Sequence, residues 1–341
     1  MANLAGSLFD LSGIEGSNTA RKAGKLMDVY LGIDIGSVTT KFALLDDNNQ
    51  LITSVYLRTQ GKPIGVIQEG LRQIRDGLPE NAVISGVGAT GNARNPASVV
   101  VGADVVKNEI TSQAVAALQH VPDVQTIIEI GGQDSKVIIL RQGRVTDFSM
   151  NTVCAAHIGS FLDHQALRLG VHIENFGMLS LQSRNPARID GQCNVFIESD
   201  MITRQQTGRS VEDILYGSCQ ALVHNYLHNV VSGKKILPPI VFQGGVAFNQ
   251  GIVRALKENL GTNVIVPPHH EVAGAMGAAL QAREEIESKG NETKFNGFGI
   301  IDAKYHTFAF ECKACYKLCK IVRLSLDGKG LAYWGGRCDL W

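Results

Sequence analysis

The chain has 341 residues, more than one typical domain needs, and its apolar share of 44% with 19% charged residues is ordinary for a globular protein. Its 32 lysines and arginines balance 32 aspartates and glutamates, so no excess of charge favours nucleic acid or an anionic membrane as a partner. No apolar run reaches the roughly 18 residues that span a bilayer, and the opening MANLAGSLFDLSG lacks the features of a signal peptide. We therefore expect two domains and a cytoplasmic location.

The first predicted elements follow a leader. Residues 1–28 are rich in Gly, Ser and Ala without periodicity, and we expect them to be flexible. From Val29, VYLGIDIGSVTTKFALLD predicts two strands joined by a Gly-Ser turn, and LITSVYLR predicts a third. PIGVIQEGLRQIRDGL has apolar residues at helical spacing and ends at a glycine, and AVISGVGATG predicts a further strand.

A similar plan returns from residue 124, where VQTIIEIGGQDSKVIILRQGRVTDFSM predicts three strands with a Gly-Gly turn. Helices are predicted at about 155–169 and 194–205, and SVEDILYGSCQALVHNYLHNVV predicts a long amphipathic helix. PPIVFQGGVAFNQGIVRALKENL and NVIVPPHHEVAGAMGAALQAREE each predict a strand, a loop and a helix. The repeated plan indicates two related α/β lobes with mixed sheets, and the polar Gly/Asn-rich segment from residue 286 predicts a linker.

Three glycine turns follow predicted strands, in DIGSVTTK, EIGGQDSK and FQGGVAFN. Backbone N–H groups of such turns, with the hydroxyls of Ser37, Thr39 and Thr40, can hold a phosphate. Asp34 and Asp134 can hold Mg²⁺ directly or through water. A single turn fits a surface hairpin equally well, but three turns, two of them with an acidic residue, predict a nucleotide between two lobes. The sequence has no G-x-x-x-x-G-K-[ST] and no G-x-G-x-x-G that follows a strand, so neither a P-loop nor a Rossmann dinucleotide site is supported.

These turns, together with HHEVAGAMGAA, resemble the phosphate, adenosine and connecting motifs of the superfamily of actin, sugar kinases, acetate kinases and heat-shock chaperones. MNTVCAAHIGSFLD and CNVFIESDMI are similar, more narrowly, to the activator ATPases of 2-hydroxyacyl-CoA dehydratases, benzoyl-CoA reductases and double-cubane cluster proteins, the BadF/BadG/BcrA/BcrD family. The resemblance covers approximately residues 29–284. It implies a two-lobed actin-like (ribonuclease H-like) ATPase fold, with lobe I at 29–120 and lobe II at 121–285. Residues 286–341 lie beyond the resemblance, and their composition and cysteines predict a linker and a small cysteine-rich module.

The resemblance implies an ATPase coupled to electron transfer. ATP hydrolysis would change the angle between the lobes and deliver low-potential electrons from a [4Fe–4S] cluster, shared by a homodimer, to a partner iron–sulfur dehydratase or reductase, with ferredoxin or flavodoxin as donor. Asp34, Gln133 and Asp134 would be catalytic, and both aspartates would organise Mg²⁺ and the attacking water. The expected contacts to ATP or ADP are Gly36, Ser37, Thr39, Thr40, Lys41, Gly131, Gly132, Gly244, Gly245 and Asn249.

Two cysteines stand at predicted helix starts, and the resemblance assigns Cys154 and Cys193 to the cluster. A [4Fe–4S] cluster is normally held by four thiolates, so a symmetric dimer that supplies two from each subunit completes the set. Helix N-termini also favour an anionic group. The alternative is that a cysteine packs as a small buried apolar residue, and we keep that interpretation for Cys219.

The sequence departs from the family just after the first cysteine. The family typically has Ala-Ala-Gly-Thr-Gly there, whereas this chain has Ala155-Ala156-His157-Ile158-Gly159. His157 would either donate to the cluster and raise its potential or pack against the neighbouring helix, and we favour packing.

Four further cysteines, Cys312, Cys315, Cys319 and Cys338, have the spacing C-x2-C-x3-C-x18-C around the predicted hairpin IVRLSLDGKGLAYW, which turns at Asp327-Gly328. In a chain with an odd total of seven cysteines and no export signal, this spacing predicts metal ligation rather than disulfides. Zn²⁺ and a second iron–sulfur cluster are both consistent with it. A cluster would relay electrons from the donor, and zinc would stabilise a docking element.

Two other functions share this fold. One is a small-molecule kinase of the actin and sugar-kinase superfamily, whose cysteines would be structural, although the sequence does not locate a base for its acceptor. The other is a non-catalytic ATP-dependent chaperone or scaffold, although no peptide-binding module is evident after the ATPase region.

Overall fold

The computed structural model describes residues 26–151, 157–190, 193–326, 328–338 and 340. The first sheet belongs to lobe I. It begins with strands β1 (Met27–Ile35), β2 (Thr39–Leu45) and β3 (Leu51–Arg58), which form the predicted antiparallel meander. Strand β1 starts two residues before the predicted Val29. Parallel strands β4 (Ala82–Thr90) and β5 (Val105–Val106) complete the order β3-β2-β1-β4-β5. The predicted mixed sheet is confirmed.

One of the three helices that the structure describes between β3 and the second sheet was predicted from the sequence. Helix α1 (Pro63–Asp76) has proline in its first turn, buries Ile67, Leu71 and Ile74, and is followed by Gly77, as the spacing predicts. Helices α2 (Arg94–Val101) and α3 (Glu109–His120) were not predicted. The side chain of Asn108 caps α3 by accepting from the Thr111 N–H.

The second sheet repeats the plan of the first. Strands β6 (Thr126–Ile130), β7 (Ser135–Arg141) and β8 (Arg144–Met150) form an antiparallel meander, and β9 (Ile240–Gln243) and β10 (Val264–Ile265) add in parallel, in the order β10-β9-β6-β7-β8. The helices of this half are α4 (Ile158–Arg168), α5 (Ile173–Ser180), α6 (Asn194–Gln206), α7 (Val211–Asn229), α8 (Gln250–Leu260) and α9 (Ala273–Lys289). Of these only α5 had no predicted counterpart. Lobe II denotes the second sheet and α4–α8.

Helices α3 and α9 each pack against the sheet of the other half. Ala275 and Ala279 of α9 share a core with Tyr30 of β1, while Ala114 of α3 packs with Ile127 of β6. A Cβ on Gly32 of β1 would collide with the backbone of α9, so glycine there permits this close approach. Both helices therefore lie between the two sheets.

The C-terminal residues form a third sheet, with β11 (Tyr305–Glu311), β12 (Lys320–Leu326) and β13 (Lys329–Trp334) in the antiparallel order β11-β12-β13. The predicted hairpin is β12–β13, and Asp327 of its turn lies outside the described residues. Leu324 belongs to the core of lobe I, and the Gln68 side chain donates to the carbonyls of Ile300 and Ala303 at 3.0 and 2.8 Å. The third sheet is thus attached to lobe I. Among the described helices, none combines the length and apolar character needed to cross a bilayer.

Candidate functional site

The three predicted glycine turns meet around one cavity of about 720 Å³ between the sheets. Val38 and Thr39 of the first turn, Gly131 and Gly132 of the second and Gly245 of the third line it. The first two turns are in contact, because a Cβ built on Gly132 would lie 3.3 Å from the Val38 side chain. The cavity therefore has the position predicted for a nucleotide.

The other residues predicted to contact the nucleotide lie on the same turns, but of these only Asn249 is among the described residues that line the cavity. The Thr40 hydroxyl is buried 2.9 Å from the Thr59 hydroxyl, and Ser37 accepts from Asn92 at 3.1 Å. The Gly36 and Gly131 N–H groups close their turns on the carbonyls of Thr39 and Asp134 at 3.0 and 2.9 Å. The remaining predicted nucleotide contacts are Lys41, Gly244 and Asn249, and Asn249 lines the cavity. Gln133, which was predicted to be catalytic, lies on the second turn.

The first two turns are built on matching octapeptides, DIGSVTTK and EIGGQDSK. Asp34 and Lys41 are cross-strand partners, and their ion pair is 3.2 Å long. At the same positions of the second hairpin Glu129 and Lys136 are partners, with an ion pair of 2.9 Å. The structural counterpart of Asp34 is therefore Glu129, while Asp134 corresponds to Thr39. Comparing the octapeptides position by position would have found Glu129.

Lys136 is held between two carboxylates. Its ammonium contacts Glu129 at 2.9 Å and Glu109, from the first turn of α3, at 2.8 Å. Burial opposes the positive charge of Lys136, but the two glutamates outweigh burial and hold its pKa above the usual value. Burial raises the pKa of Glu129, and the charge of Lys136 offsets that rise only in part. The two ion pairs are connected, since α3 of the first half supplies Glu109 to the second hairpin.

Lys41 has a similar balance on the first hairpin. Burial lowers its pKa, but the charges of Asp34, Tyr56 and Glu129 and the hydrogen bond to Asp34 leave the pKa above its usual value. Lys41 therefore keeps its charge, beside a cavity where phosphates are expected.

Two buried side chains beside the acids have unused polar atoms. Thr90 on β4 is the register partner of Asp34, and Gln243 on β9 is the register partner of Glu129. Neither the Thr90 hydroxyl nor either polar atom of the Gln243 amide finds a hydrogen-bond partner among the described residues. Buried polar groups are normally satisfied, so these atoms indicate bound water or a ligand. With two carboxylates beside them, the Thr90 hydroxyl and the Gln243 amide oxygen suit Mg²⁺ and its waters, because Mg²⁺ prefers oxygen ligands, and the Gln243 NH2 group can donate to such a water.

Helix α4 is attached directly to the second glycine turn. The Ser160 N–H and hydroxyl both donate to the Gly132 carbonyl, at 2.9 and 2.8 Å. A Cβ on Gly159 would lie only 2.6 Å from the Gly131 carbonyl oxygen, so glycine allows this contact. The start of α4 is therefore in direct contact with a turn that lines the cavity.

Of the two predicted cluster ligands the structure describes Cys193, at the start of α6. Cys154 lies outside the described residues, just before α4. Cys193 is the half-buried N-cap of α6, and neither it nor His157, the N-cap of α4, makes a side-chain capping bond to a described residue. The start of α6 can thus offer N–H groups to an anion, which fits an anionic cluster, whereas at the start of α4 the Ser160 N–H is already donated to the Gly132 carbonyl. Ile158 is buried in the core of lobe II, which accounts for an apolar residue at this departure from the family pattern.

Beside Cys193 two large apolar side chains are exposed, Val195 by 73% and Phe196 by 55%. Cys219 lies in the core of lobe II, and burial raises the pKa of its thiol to about 12, as expected for a cysteine with a packing role.

The four C-terminal cysteines are not assembled as a metal site. Cys312 and Cys319 are buried together against Ile321, whereas Cys315 and Cys338 are exposed. Among the described residues, no group of three or more candidate ligands is placed to hold a metal ion.

Comparison with known proteins gives a consistent result. Residues 31–282 match the model of the BadF/BadG/BcrA/BcrD ATPase family. The chain is 32% identical to the 2-hydroxyisocaproyl-CoA dehydratase activator of Clostridioides difficile, over 77% of this chain and 98% of that protein. It is 34% identical to the (R)-2-hydroxyglutaryl-CoA dehydratase activating ATPase of Acidaminococcus fermentans, over 75% of this chain and 98% of that protein. A solved structure of the C. difficile activator with bound ADPNP, 33% identical, superposes with a TM-score of 0.69 over 77% of this chain and 97% of that one.

Proposed function

Because the chain belongs to the BadF/BadG/BcrA/BcrD ATPase family, we propose that it is an ATP-dependent electron-transfer activator of a partner iron–sulfur dehydratase or reductase. The observation that carries the proposal is the attachment of α4 to the second glycine turn through Ser160 and Gly132. This contact joins the predicted nucleotide cavity to the helix that follows Cys154. Occupation of the cavity can therefore act directly on the start of this helix.

In the nucleotide site, the glycine turns bind the phosphates through their N–H groups, and Lys41 adds a positive charge. We assign Asp34 and Glu129 to Mg²⁺ and its waters, because the unused polar atoms of Thr90 and Gln243 lie beside them in the sheets. Gln133 and Asp134, on the second turn, are proposed to orient the attacking water. Lys136 and Glu109 are positioning residues that hold Glu129 in place.

Cys154 and Cys193 are proposed to hold half of a [4Fe–4S] cluster, with the other half supplied by a second copy of the chain. When bound, the cluster supplies a low-potential one-electron carrier. The exposed Val195 and Phe196 support a homodimer, because a second copy would bury them beside the cluster. The start of α6, which has no side-chain cap, favours its negative charge.

Transferring one electron to a centre whose reduction potential is lower by a few hundred millivolts costs about 5 to 10 kcal/mol, which ATP hydrolysis can supply. We propose ferredoxin or flavodoxin as the donor. We propose that closure of the cavity on the nucleotide moves the second turn, and that α4 moves with this turn because Gly159 packs directly against it.

The test is anaerobic purification with iron and sulfide counting, electron paramagnetic resonance and size measurement. Cys154→Ser or Cys193→Ser should lose the cluster and the dimer, because each removes two of four ligands, while Cys219→Ala should keep both. Full cluster content in a dimeric Cys154→Ser protein contradicts the proposal. For the ATPase, we expect Glu129→Gln to lower kcat by about 100-fold, and the exposed Glu80→Gln serves as the matched control.

A further inference from the structure

The four C-terminal cysteines lie at one end of the third sheet. Strand β11 ends at Glu311, which pairs with Lys320 at the start of β12, and β13 ends at Trp334, which pairs with Val322. Cys312 directly follows β11, and Cys319 directly precedes β12. Cys315 lies in the turn between them, and Cys338 follows β13. The antiparallel topology thus brings residues far apart in sequence to the same edge.

Two of these cysteines already form a pair. The Cys312 N–H donates to the Cys319 carbonyl at 2.8 Å, which continues the β11–β12 ladder by one step. Cross-strand partners point to the same face, and both side chains pack with Ile321. The Cys312 and Cys319 side chains therefore lie next to each other, buried on one face of the third sheet.

The backbone next to the other two cysteines turns sharply beside this pair. Leu318, just before Cys319, has φ +44°, a left-handed conformation that non-glycine residues rarely adopt. Gly335 has φ +98°, and a Cβ there would collide with the carbonyl of Lys320. The chain that leads to Cys338 is thus held against the residue next to Cys319.

The charge around this edge suits an anionic centre. A metal site with four thiolates has a net negative charge, whether it holds one Zn²⁺ or a [4Fe–4S] cluster. Glu311 is the acidic residue next to the pair. The basic residues among and beside the cysteines are Lys313, Lys317, Lys320 and Arg337.

We propose that Cys312, Cys315, Cys319 and Cys338 form a four-thiolate metal site on the third sheet. The exposed Cys315 and Cys338 close over the buried pair when the metal binds, because metal binding and local folding are coupled in such sites. The site moves with lobe I, to which Leu324 and the Gln68 hydrogen bonds attach the sheet. This inference does not depend on the proposed activity.

The test uses the full chain with Cys154→Ser and Cys193→Ser, so that any bridging cluster is absent. After anaerobic purification we expect about one zinc or about four iron and four sulfide per chain, and elemental analysis distinguishes the two. Adding Cys315→Ser or Cys338→Ser should remove at least half of this metal, while adding Cys219→Ala should remove none. Because both targets are exposed, these variants should fold, which circular dichroism checks.

The proposal is overturned if the purified background protein contains no metal, or if its metal persists in a folded protein with both Cys315→Ser and Cys338→Ser. Failure of the activity proposal looks different. In that case the iron content of the wild type and of the Cys154→Ser/Cys193→Ser protein would be equal, whatever the C-terminal variants show.

Discussion

The contact between α4 and the second glycine turn can be tested with one methyl group. In Gly159→Ala the new Cβ would lie 2.6 Å from the Gly131 carbonyl oxygen and 2.7 Å from the Gly132 Cα, whereas ordinary contacts begin at 3.4 Å. The two backbones must therefore separate by about 0.8 Å. The Ser160 hydrogen bonds, now 2.9 and 2.8 Å, would then exceed the usual range for hydrogen bonds.

The expected cost is about 2 kcal/mol, from overpacking and the loss of one or two hydrogen bonds. If nucleotide binding requires this contact, the affinity for ATP should fall about 30-fold. The replacement of glycine by alanine in a helix is otherwise favourable, so helix propensity does not explain a loss. Isothermal titration with a non-hydrolysable ATP analogue measures the affinity, and the ATPase rate measures the consequence.

Gly65→Ala is the matched control, since Gly65 also lies in the first turn of a helix, is exposed, and has open space around its Cβ position. It should bind the nucleotide like the wild type. A Gly159→Ala protein with affinity and ATPase rate within twofold of the control would refute the link between the cavity and α4.

Three further predictions follow from the buried groups. Lys136→Met removes the cation shared by Glu109 and Glu129 and should cost about 3 to 5 kcal/mol of unfolding free energy at neutral pH. The pKa of Glu129 is raised in the folded state, so the stability that its neutral form contributes is lost as pH rises through that pKa. Thermal unfolding should therefore show the Lys136→Met protein closer in stability to the wild type at pH 5 than at pH 8. Cys219, whose pKa burial raises to about 12, should resist iodoacetamide at pH 8 in the native protein and react after denaturation, as peptide mass spectrometry would show. Gly88→Ala should unfold the protein or lower its stability by more than about 1 kcal/mol, because its Cβ would collide with the backbone of α9, and urea denaturation would measure this.

The strands and turns of both hairpins could be predicted from the sequence because their signals are local. Alternating or continuous apolar runs ending at glycine identify β1, β2, β6 and β7 within a residue or two. The exchange of α3 and α9 between the two halves could not be predicted in this way. For α9 it depends on a close approach at Gly32 and on packing between residues more than 200 positions apart in the chain, and for α3 no helix was predicted.

The candidate site shows the same limit. Its glycine turns were found because each is a short pattern, and the cavity confirms that the turns meet. Glu129 was overlooked because Asp134 is the more obvious acid in EIGGQDSK, although aligning the two octapeptides places Glu129 at the position of Asp34, as the strand register confirms. Glu109 belongs to α3, for which no helix was predicted. The unused polar atoms of Thr90 and Gln243 are visible only in three dimensions.

The position of α9 constrains the order in which the protein can acquire its structure during synthesis. One face of β1 is covered by Ala275 and Ala279, so this face has no cover until the ribosome has passed Lys289. A fragment ending near residue 120 would contain every strand of the first sheet yet leave that face open to water or to a chaperone. The first half of the chain is therefore made first but completed last.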